Sequence, residues 1–353
     1  MAGLFDPVQL GELTLSNRVV MAPMTRSRAG ADSVPTAIMT DYYRQRASAG
    51  LIVSEGIAPS RHGIGYCRTP GLYNAAQMAA WREVTRAVHD AGGLIVAQLM
   101  HCGRVGSRFN KAADAETVAP SAVRAAGRIF TDAAGMQEQD LPRALESGEI
   151  PGVIEEYASA TRNALATGFD GVELHCTSGY LPMQFMAANS NLRTDHYGGG
   201  TPNRVRFTIE VLEAMTAAAE GRVGMRICPG NPFNDVLDPD PHETYRLLLS
   251  GISHLRLAWL HVVRSPLVGL DGFALARAHF NGPIILNDGF DGASAAQALA
   301  EGAGAAVSFA RHFIGNPDLV RRLREGLPLA GFDVKTAYTP GPKGYTDYPL
   351  AEA

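Results

Sequence analysis

The sequence predicts an α/β protein built as a (β/α)8 barrel, or TIM barrel. Eight short apolar runs alternate with segments of helical spacing along the 353 residues, as repeated strand–helix units require. Most of these runs are continuously apolar, which is typical of parallel strands buried on both faces. The rival fold is a doubly wound open sheet. It is disfavoured because no Gly-x-Gly-x-x-Gly turn follows the first run.

Strands and helices follow one another from the N-terminal region to the end of the chain. The predicted strands are Val19–Met24, Leu51–Glu55, Leu94–Leu99, Gly171–His175, Val223–Ile227, Trp259–Val263, Pro283–Asn287 and Ala305–Phe309. The helical segments include Thr36–Ala49, Ala75–Ala91, Ile154–Thr167, Asn203–Ala219, Ala293–Glu301 and Pro317–Glu325. One domain spanning residues 1–353 accounts for all of them, because barrels commonly reach this length as one unit.

The composition is that of a soluble globular protein, with 46% hydrophobic and 19% charged residues. A net charge of −4 gives no electrostatic reason to expect nucleic acid or an anionic membrane as a partner. No run reaches the ~20 apolar residues that a membrane helix needs. Residues Met1–Pro7 lack the basic and apolar regions of a signal peptide. We therefore expect a cytoplasmic protein that acts on a small molecule.

The interval from about Cys102 to Pro151 breaks the strand–helix alternation. It is polar, rich in Gly and Ala, and contains Ala119-Pro-Ser121. A loop of this length inside a compact domain is typically a lid, a binding element or an excursion with its own hairpin. It leaves the third strand at the C-terminal end, where barrel active sites lie. We interpret residues 103–151 as a lid over the active site; a surface insertion without function is the alternative.

Gly289 and Arg311 follow the seventh and eighth predicted strands. Barrels often bind phosphate between these two loops, using backbone N–H groups and the N-terminus of a short helix. Asn316-Pro317 predicts the start of such a helix, because Pro is favoured in a first turn. The arrangement predicts a phosphorylated ligand, and a surface salt bridge of Arg311 is the alternative.

Two predicted strands carry a polar side chain in an apolar setting. Gln98 lies where the third strand meets solvent, and its amide offers both a donor and an acceptor, which suits the imide edge of a flavin ring. The alternative is an amide satisfied by neighbouring backbone. Arg226 lies within the apolar fifth strand, where an unpaired charge is too costly. Its partner is expected to be a bound anion or an electron-rich ring edge, with a buried carboxylate such as Glu173 as the alternative.

His175 ends the fourth predicted strand, and Tyr180 follows five residues later in a Gly-containing loop. Taken singly, each is more often a packing residue. Together with a lid, a phosphate site and a buried Arg, they indicate an electrophilic donor and a proton donor above a cofactor. Metal binding by the His101-Cys102 and His175-Cys176 pairs is not expected, because adjacent strand residues point to opposite faces.

These segments together resemble the Old Yellow Enzyme family of FMN-dependent ene reductases, from Leu4 to Pro349. The motifs that carry the resemblance are Leu4-Phe5-x-Pro7, Asn17-Arg18-Val-Val-Met-Ala-Pro-Met-Thr25-Arg-Ser-Arg28, Tyr43-x-Gln45-Arg46-Ala-Ser-x-Gly50, Ser54-Glu55-Gly56, Gln98-Leu-x-His101-x-Gly-Arg104, Gly168-Phe-Asp-Gly-Val-Glu-Leu-His175, Asn191-x-Arg193-Thr-Asp-x-Tyr-Gly-Gly and Gly344-Tyr-Thr-Asp-Tyr-Pro349. In the family, the segment that begins at His175 reads roughly His-x-x-(His or Asn)-Gly-Tyr-Leu. Ser178 therefore stands at the second substrate-anchor position.

The resemblance implies FMN as a tightly bound, non-covalent cofactor and NADPH or NADH as the hydride donor. His175 would bind the substrate carbonyl beside Ser178, and Tyr180 would donate a proton. The residues implied to hold FMN are Pro23, Met24, Thr25, Gly56, Gln98, Arg226, Gly289, Ala310 and Arg311. The residues implied to border the substrate cavity are Tyr66, Asn234 and Tyr338.

The implied reaction is ping-pong. The nicotinamide reduces the flavin and leaves; hydride then passes from flavin N5 to the β-carbon of an α,β-unsaturated carbonyl or nitro compound, and Tyr180 protonates the α-carbon. Two positions depart from the family pattern, Ser178 in place of His or Asn and Ala310 in place of Gly. The short Ser178 side chain predicts weaker activity on simple cyclic enones, and the methyl group of Ala310 predicts weaker FMN binding.

Other functions fit parts of this pattern. The same flavin site could serve nitro or nitrate-ester reduction, or a biosynthetic desaturation or isomerisation. A flavin-free lyase or aldolase for a phosphorylated sugar is disfavoured, because no predicted strand contains a Lys. A barrel kept as a binding or scaffold protein would tend to lose the His175–Tyr180 pair. The chain is expected to act as a monomer or a homodimer.

Overall fold

The computed structural model describes residues 2–265 and 269–352. Eight parallel strands close into one barrel in the order β3-β4-β5-β10-β11-β12-β13-β14, which confirms the predicted fold class. The strands in chain order are β1 (Val8–Leu10), β2 (Leu13–Leu15), β3 (Val19–Met21), β4 (Leu51–Ile57), β5 (Ile95–Leu99), β6 (Val118–Ala119), β7 (Arg128–Thr131), β8 (Gly135–Glu138), β9 (Arg143–Ala144), β10 (Gly171–Cys176), β11 (Val223–Ile227), β12 (Trp259–Val263), β13 (Ile284–Asn287) and β14 (Ala306–Phe309). The helices are α1 (Ala37–Arg44), α2 (Ala75–Asp90), α3 (Ile150–Ala166), α4 (Leu181–Met186), α5 (Thr201–Arg204), α6 (Arg206–Ala218), α7 (Pro241–Gly251), α8 (Gly272–His279), α9 (Gly292–Ala300), α10 (Arg311–Gly315) and α11 (Leu319–Glu325).

The first two barrel strands differ most from their predicted bounds. β3 ends at Met21 rather than Met24, because Met21 is the last residue that pairs with β4 and β14. β4 continues past Glu55 to Ile57. Its pairing with β5 shifts between Val53 and Gly56, so the strand stays in the sheet through an irregularity that a periodic pattern does not reveal.

Two helical predictions are corrected. The segment Asn203–Ala219 is two helices, α5 and α6, which meet at Val205. The helix after β14 is α10, which begins at Arg311, while Asn316-Pro317 lies between α10 and α11. The predicted helix Pro317–Glu325 is present as α11 and begins two residues later than predicted, at Leu319. The sequence analysis missed α10, which directly follows β14, because its five residues are too few to show a 3.6-residue period.

Trp259 is fully buried and packs in one cluster with residues of other barrel strands, among them Val20, Val53, Val96 and Ile285. Its register partner on β11 is Gly224, and a Cβ atom placed there would lie 2.0 Å from the Trp259 ring. Only glycine leaves room for the indole at this position. The indole N–H donates to Glu173 at 2.9 Å, so the packed centre of the barrel also supports a buried polar layer.

The interval 103–151 is an excursion with its own strands. β6 pairs in parallel with β9, and β7 and β8 form an antiparallel hairpin. Within the excursion, the Arg104 guanidinium contacts the Asp235 carboxylate in the loop after β11 at 3.4 Å. Ala125 packs in one buried cluster with Tyr180, and Tyr66 packs against that cluster. The excursion therefore touches the end of the barrel that carries the predicted active site, and its role as a lid stays a prediction.

Candidate active site

Strand register brings the predicted site residues together at the C-terminal end of the barrel. His175 on β10 is the Cα partner of Arg226 on β11, which in turn pairs with His261 on β12. On the other side, Glu173 pairs with Gln98 on β5. Residues two apart on a strand share a face, so Glu173 and His175 point the same way. Parallel pairing thus assembles one polar layer from residues that are far apart in sequence.

His175 and Tyr180 are in contact. Their rings meet edge to face, with centroids 4.8 Å apart at an angle of 76°. The Tyr180 hydroxyl lies 3.2 Å from the hydroxyl of Tyr66. Burial, followed by the proximity of Tyr66, raises the pKa of Tyr180 well above its ordinary value. The phenol is therefore protonated at neutral pH, as a proton donor must be.

His175 is a neutral donor. Burial, reinforced by Arg226, lowers the pKa of His175 to about 3. The backbone N–H of Thr177 points at Nδ1 of the ring over 3.3 Å. Because an amide N–H can only donate, Nδ1 carries the lone pair and the ring proton is on Nε2. The imidazole therefore offers its Nε2–H to an oxygen acceptor.

Ser178 is held from both sides of its backbone. It adopts a left-handed conformation with φ 58°, which Asn and Gly tolerate better than Ser. Its N–H donates to Cys228 Sγ at 3.3 Å, and its carbonyl accepts from Asn234 Nδ2 at 2.8 Å. Its hydroxyl lies 3.2 Å from Thr177 Oγ1. The predicted second anchor thus sits beside His175, but its hydroxyl already has a neighbouring hydroxyl as partner.

Arg226 contacts two uncharged side chains. Its Nη2 donates to Asn287 Oδ1 at 2.6 Å, and its Nη1 lies against the ring nitrogens of His261. Glu173, the carboxylate considered as a partner, accepts from Nδ1 of the same imidazole at 2.9 Å. The negative charge therefore reaches Arg226 through His261 rather than through a direct salt bridge, which leaves part of the guanidinium available to a ligand.

Glu173 accepts hydrogen bonds from Gln98 Nε2, Trp259 Nε1 and His261 Nδ1, each at 2.9 Å. Burial opposes its charge, but His261, Arg226 and the Trp259 N–H outweigh it and hold the pKa of Glu173 at about 2. Burial and Arg226 lower the pKa of His261 to about 4. At neutral pH the layer therefore contains a carboxylate, a neutral imidazole and a guanidinium.

Replacing Glu173 with Gln is expected to destabilise the protein by about 3–5 kcal/mol, because it removes the buried charge that balances Arg226 and turns an amide N–H₂ toward existing donors. The thermal unfolding midpoint of the variant should fall accordingly. The matched control is Glu243→Gln on the surface of α7, which should leave the midpoint unchanged. Equal midpoints for both variants would show that Glu173 is not required for the buried layer.

The donors and acceptors around the barrel mouth fit a flavin ring. Gln98 points its Nε2 at Glu173, which leaves Oε1 as an acceptor suited to an imide N–H. Arg226 supplies a cation two strands away, on the other side of β10. Pro23, Met24 and Thr25 are partly exposed between buried residues, as lining residues should be. Gly56 is close-packed, since a Cβ there would lie 2.5 Å from Met100.

The loops after β13 and β14 fit a phosphate group. Gly289 has φ 76°, and the nearest atom to a Cβ placed there is Arg264 Nη1 at 3.6 Å, so its backbone faces open space. Ala310 caps α10, and the exposed Arg311 is the first residue of that helix. Free backbone N–H groups and a guanidinium are the usual ligands of a phosphate. Together with the ring-facing residues, this donor set fits FMN.

The three predicted cavity residues lie near the His175–Tyr180 pair. Tyr66 contacts Tyr180 through its hydroxyl, and Asn234 bonds to the Ser178 carbonyl. Tyr338 is 62% exposed, and its carbonyl accepts from Arg68 Nη2 at 2.9 Å. Burial raises the pKa of both Tyr180 and Tyr66, and the Tyr338 phenol is near enough to the two hydroxyls to contribute to that increase.

Sequence reasoning missed His261 and Thr177. The signal for His261 was the one that identified Arg226, a polar side chain within an apolar strand. Thr177 had no comparable signal, because its importance depends on two neighbours, His175 Nδ1 and Ser178 Oγ, that only the folded loop brings within 3.2 Å.

Glu55 was also not expected to be ionisable near neutral pH. It is buried beside Tyr43, whose hydroxyl lies 3.3 Å from its carboxylate, and burial raises the pKa of Glu55 to about 7. A raised pKa means that the folded state holds the proton more tightly than the unfolded chain. This contribution to stability is therefore complete below about pH 4.5 and is lost as the pH rises through about 7.

Glu55→Gln is expected to remove that dependence. Between pH 5 and pH 8 the wild type should lose stability on the order of 3 kcal/mol more than the variant, since Gln has no proton to lose. Unfolding midpoints of both proteins at the two pH values measure the difference. Parallel pH dependence in the two proteins would contradict the assignment.

The part of the chain that the structure describes contains no cluster of three or more His, Cys, Asp or Glu side chains that could hold a metal ion. The four cysteines are free thiols, and all but Cys67 are buried. No helix in the described ranges is long and apolar enough to cross a membrane.

Comparison with known proteins places the whole chain in one family. The sequence model of the NADH:flavin oxidoreductase / NADH oxidase family matches residues 3–330. A probable flavin mononucleotide-dependent alkene reductase of Leishmania infantum is 41% identical over 98% of this chain and 97% of its own length. The 12-oxophytodienoate reductase 1 of Oryza sativa subsp. japonica is 37% identical over 99% of this chain and 93% of its own.

Solved structures agree with these relatives. The Old Yellow Enzyme homologue from Zymomonas mobilis superposes with a TM-score of 0.94 at 42% identity, covering 99% of this chain and all of its own. Morphinone reductase in complex with tetrahydroNAD gives a TM-score of 0.95 at 41% identity, covering 100% of this chain and 98% of its own. The barrel, the donor set at its mouth and these matches lead to one conclusion: the chain belongs to the Old Yellow Enzyme family of flavin-dependent oxidoreductases.

Proposed function

We propose that this chain is an FMN-dependent ene reductase that uses NADPH or NADH. The observation that carries the proposal is the His175–Tyr180 pair, a neutral imidazole with its proton on Nε2 in contact with a protonated phenol. Reduction of an unsaturated carbonyl compound needs both groups. The carbonyl oxygen needs a hydrogen-bond donor, and the α-carbon, two bonds away, needs a proton donor. The family relatives that reduce alkenes and oxophytodienoate support the same chemistry.

In this proposal the residues of the chain bind, orient and protonate. His175 Nε2–H donates to the carbonyl or nitro oxygen of an unsaturated substrate and stabilises the negative charge that develops there. Tyr180 delivers its proton to the α-carbon, and the nearby Tyr66 hydroxyl keeps the phenol oriented. Bound FMN would supply the hydride that reaches the β-carbon. Pro23, Met24, Thr25, Gly56, Gln98, Arg226, Gly289, Ala310 and Arg311 are proposed to hold it.

The proposal also covers the lid, the cellular compartment and a second class of substrate. Residues 103–151 act as a lid, supported by the contacts of Arg104 with Asp235 and of Ala125 with Tyr180. We assign the enzyme to the cytoplasm, where NADPH is available as the hydride donor. Nitroalkenes are a second substrate class, because the His175 Nε2–H can donate to a nitro oxygen as it does to a carbonyl oxygen.

One anaerobic absorbance experiment tests the proposal. The purified protein should show flavin bands, lose them when NADPH or NADH is added, and recover them when 2-cyclohexenone or a nitroalkene follows. Comparing the bleaching rates with the two nicotinamides decides the donor. Absence of flavin bands, even after reconstitution with FMN, would overturn the proposal.

A further inference from the structure

We propose that Thr177 converts Ser178 into a hydrogen-bond acceptor, so that the site selects unsaturated imides and lactams, whose N–H lies next to the carbonyl. The inference rests on the proposed function, because it takes His175 as the anchor of the carbonyl oxygen. It concerns the second anchor position, where the substrate meets Ser178.

The Thr177 hydroxyl has its hydrogen committed to His175. Its Oγ1 lies 3.2 Å from His175 Nδ1, the ring nitrogen that already faces the Thr177 backbone N–H at 3.3 Å. That nitrogen carries a lone pair, so a hydroxyl beside it can bond only by donating. The His175 ring is neutral at pH 7, because burial lowers its pKa to about 3.

The Ser178 hydroxyl then has its acceptor within the protein in Thr177 Oγ1. The two hydroxyl oxygens are 3.2 Å apart, and Thr177 Oγ1 is left as the acceptor once its own hydrogen points to His175. Within the described residues, Ser178 Oγ has no other hydrogen-bond partner in the protein. The result is a directed chain, Ser178 O–H to Thr177 O–H to His175 Nδ1, which leaves lone pairs on Ser178 Oγ for a ligand.

The loop backbone keeps Ser178 in this arrangement. Cys228 Sγ accepts its N–H, and Asn234 donates to its carbonyl, so the residue is fixed from two other loops. In the segment from Cys176 to Leu181, Ser178 alone is partly exposed, while its neighbours are buried. Ser178 is therefore the residue of this segment that a ligand can reach.

The two anchors consequently have opposite polarity. His175 Nε2–H donates, and Ser178 Oγ accepts. An unsaturated imide or lactam matches both, with its carbonyl oxygen at His175 and the adjacent N–H at Ser178. A simple enone matches only His175 and places nothing that can donate beside the Ser178 lone pairs. Sites built to pair a substrate N–H discriminate against analogues that lack it.

The test uses a matched pair of substrates, 2-methylmaleimide and N,2-dimethylmaleimide, with the FMN-loaded wild-type enzyme. We expect kcat/KM to be at least about tenfold higher for the imide with the free N–H, the value of one hydrogen bond. In Ser178→Ala the preference should fall toward the intrinsic ratio of the two compounds, because the acceptor is gone.

Thr177→Val removes the Thr177 hydroxyl while it keeps the shape of the side chain. Valine keeps the volume and the backbone N–H to His175, but it frees the Ser178 hydrogen to donate. The imide preference should fall about tenfold, and kcat/KM for 2-cyclohexenone should rise. Thr177→Ser restores a hydroxyl and should restore the wild-type preference, which a purely structural role would not do.

The outcomes are distinguishable. A preference that persists unchanged in Ser178→Ala and Thr177→Val would reflect the bulk of the N-methyl group and would overturn the inference. Equal kcat/KM for both imides in the wild type would also overturn it while leaving ene reduction intact. Absence of turnover with both imides and with 2-cyclohexenone, in protein that carries flavin, would instead count against the proposed function.

Discussion

Tyr180→Phe is expected to lower the rate of enone reduction by about 10²–10⁴-fold, the usual contribution of a positioned general acid. The phenol contacts the His175 ring edge to face and is kept protonated by burial, which raises its pKa well above the ordinary value. Phenylalanine preserves that ring contact and removes only the proton donor. The protein should therefore fold and bind FMN as the wild type does.

Single-turnover reoxidation of the reduced enzyme by 2-cyclohexenone measures this effect, and reoxidation by a quinone is the internal reference. A quinone takes up its protons on oxygen and needs no donor at carbon, so its rate should be unchanged in the variant. Tyr66→Phe is the matched control, because Tyr66 contacts Tyr180 but is not the proposed donor. Tyr66→Phe should lower the rate of reoxidation by 2-cyclohexenone far less than Tyr180→Phe does. Equal losses with enone and quinone would point to a displaced cofactor instead of a missing proton.

The sequence predicted the barrel because its strands are continuously apolar, and burial on both faces leaves that pattern in the sequence. Val223–Ile227 and Trp259–Val263 have the predicted bounds. Strand ends were less predictable because they depend on partners: β3 stops at Met21, the last residue that pairs with β4 and β14. Short elements such as α10 have too few turns for a period to be visible.

The same limit applies to the site: the sequence indicated some of its residues but not their contacts. Gln98 and Arg226 were predicted as site residues because a buried polar side chain in an apolar strand is costly unless it has a partner. What they contact was not predictable, because strand register decides it: His261 and Asn287 are the partners of Arg226, and Glu173 acts through His261. The proposed polarity of Ser178 was even less accessible, since it depends on the contacts of Thr177 with His175 and Ser178 in a loop that Cys228, fifty residues away, helps to hold.

Ser178→Asn is expected to raise kcat/KM for 2-cyclohexenone by up to about 10²-fold, the value that one donor to a developing oxyanion contributes. The Asn amide supplies the N–H that the Ser hydroxyl, engaged with Thr177, does not offer. The backbone should accept the change, because φ at this position is 58° and Asn adopts such conformations more readily than Ser. Cys228 and Asn234 would still hold the loop.

Ser178→Asp is the matched control for this gain. Asp has the shape of Asn and also tolerates the left-handed conformation, but it offers only acceptors. If a second donor is what the site lacks for enones, Asn should increase the rate and Asp should lower it, because a carboxylate would repel the developing negative charge. If Asn leaves the rate on 2-cyclohexenone unchanged or lower, a single donor at His175 already provides all the stabilisation that an enone can use. The serine would then not weaken enone reduction, contrary to the prediction drawn from its short side chain.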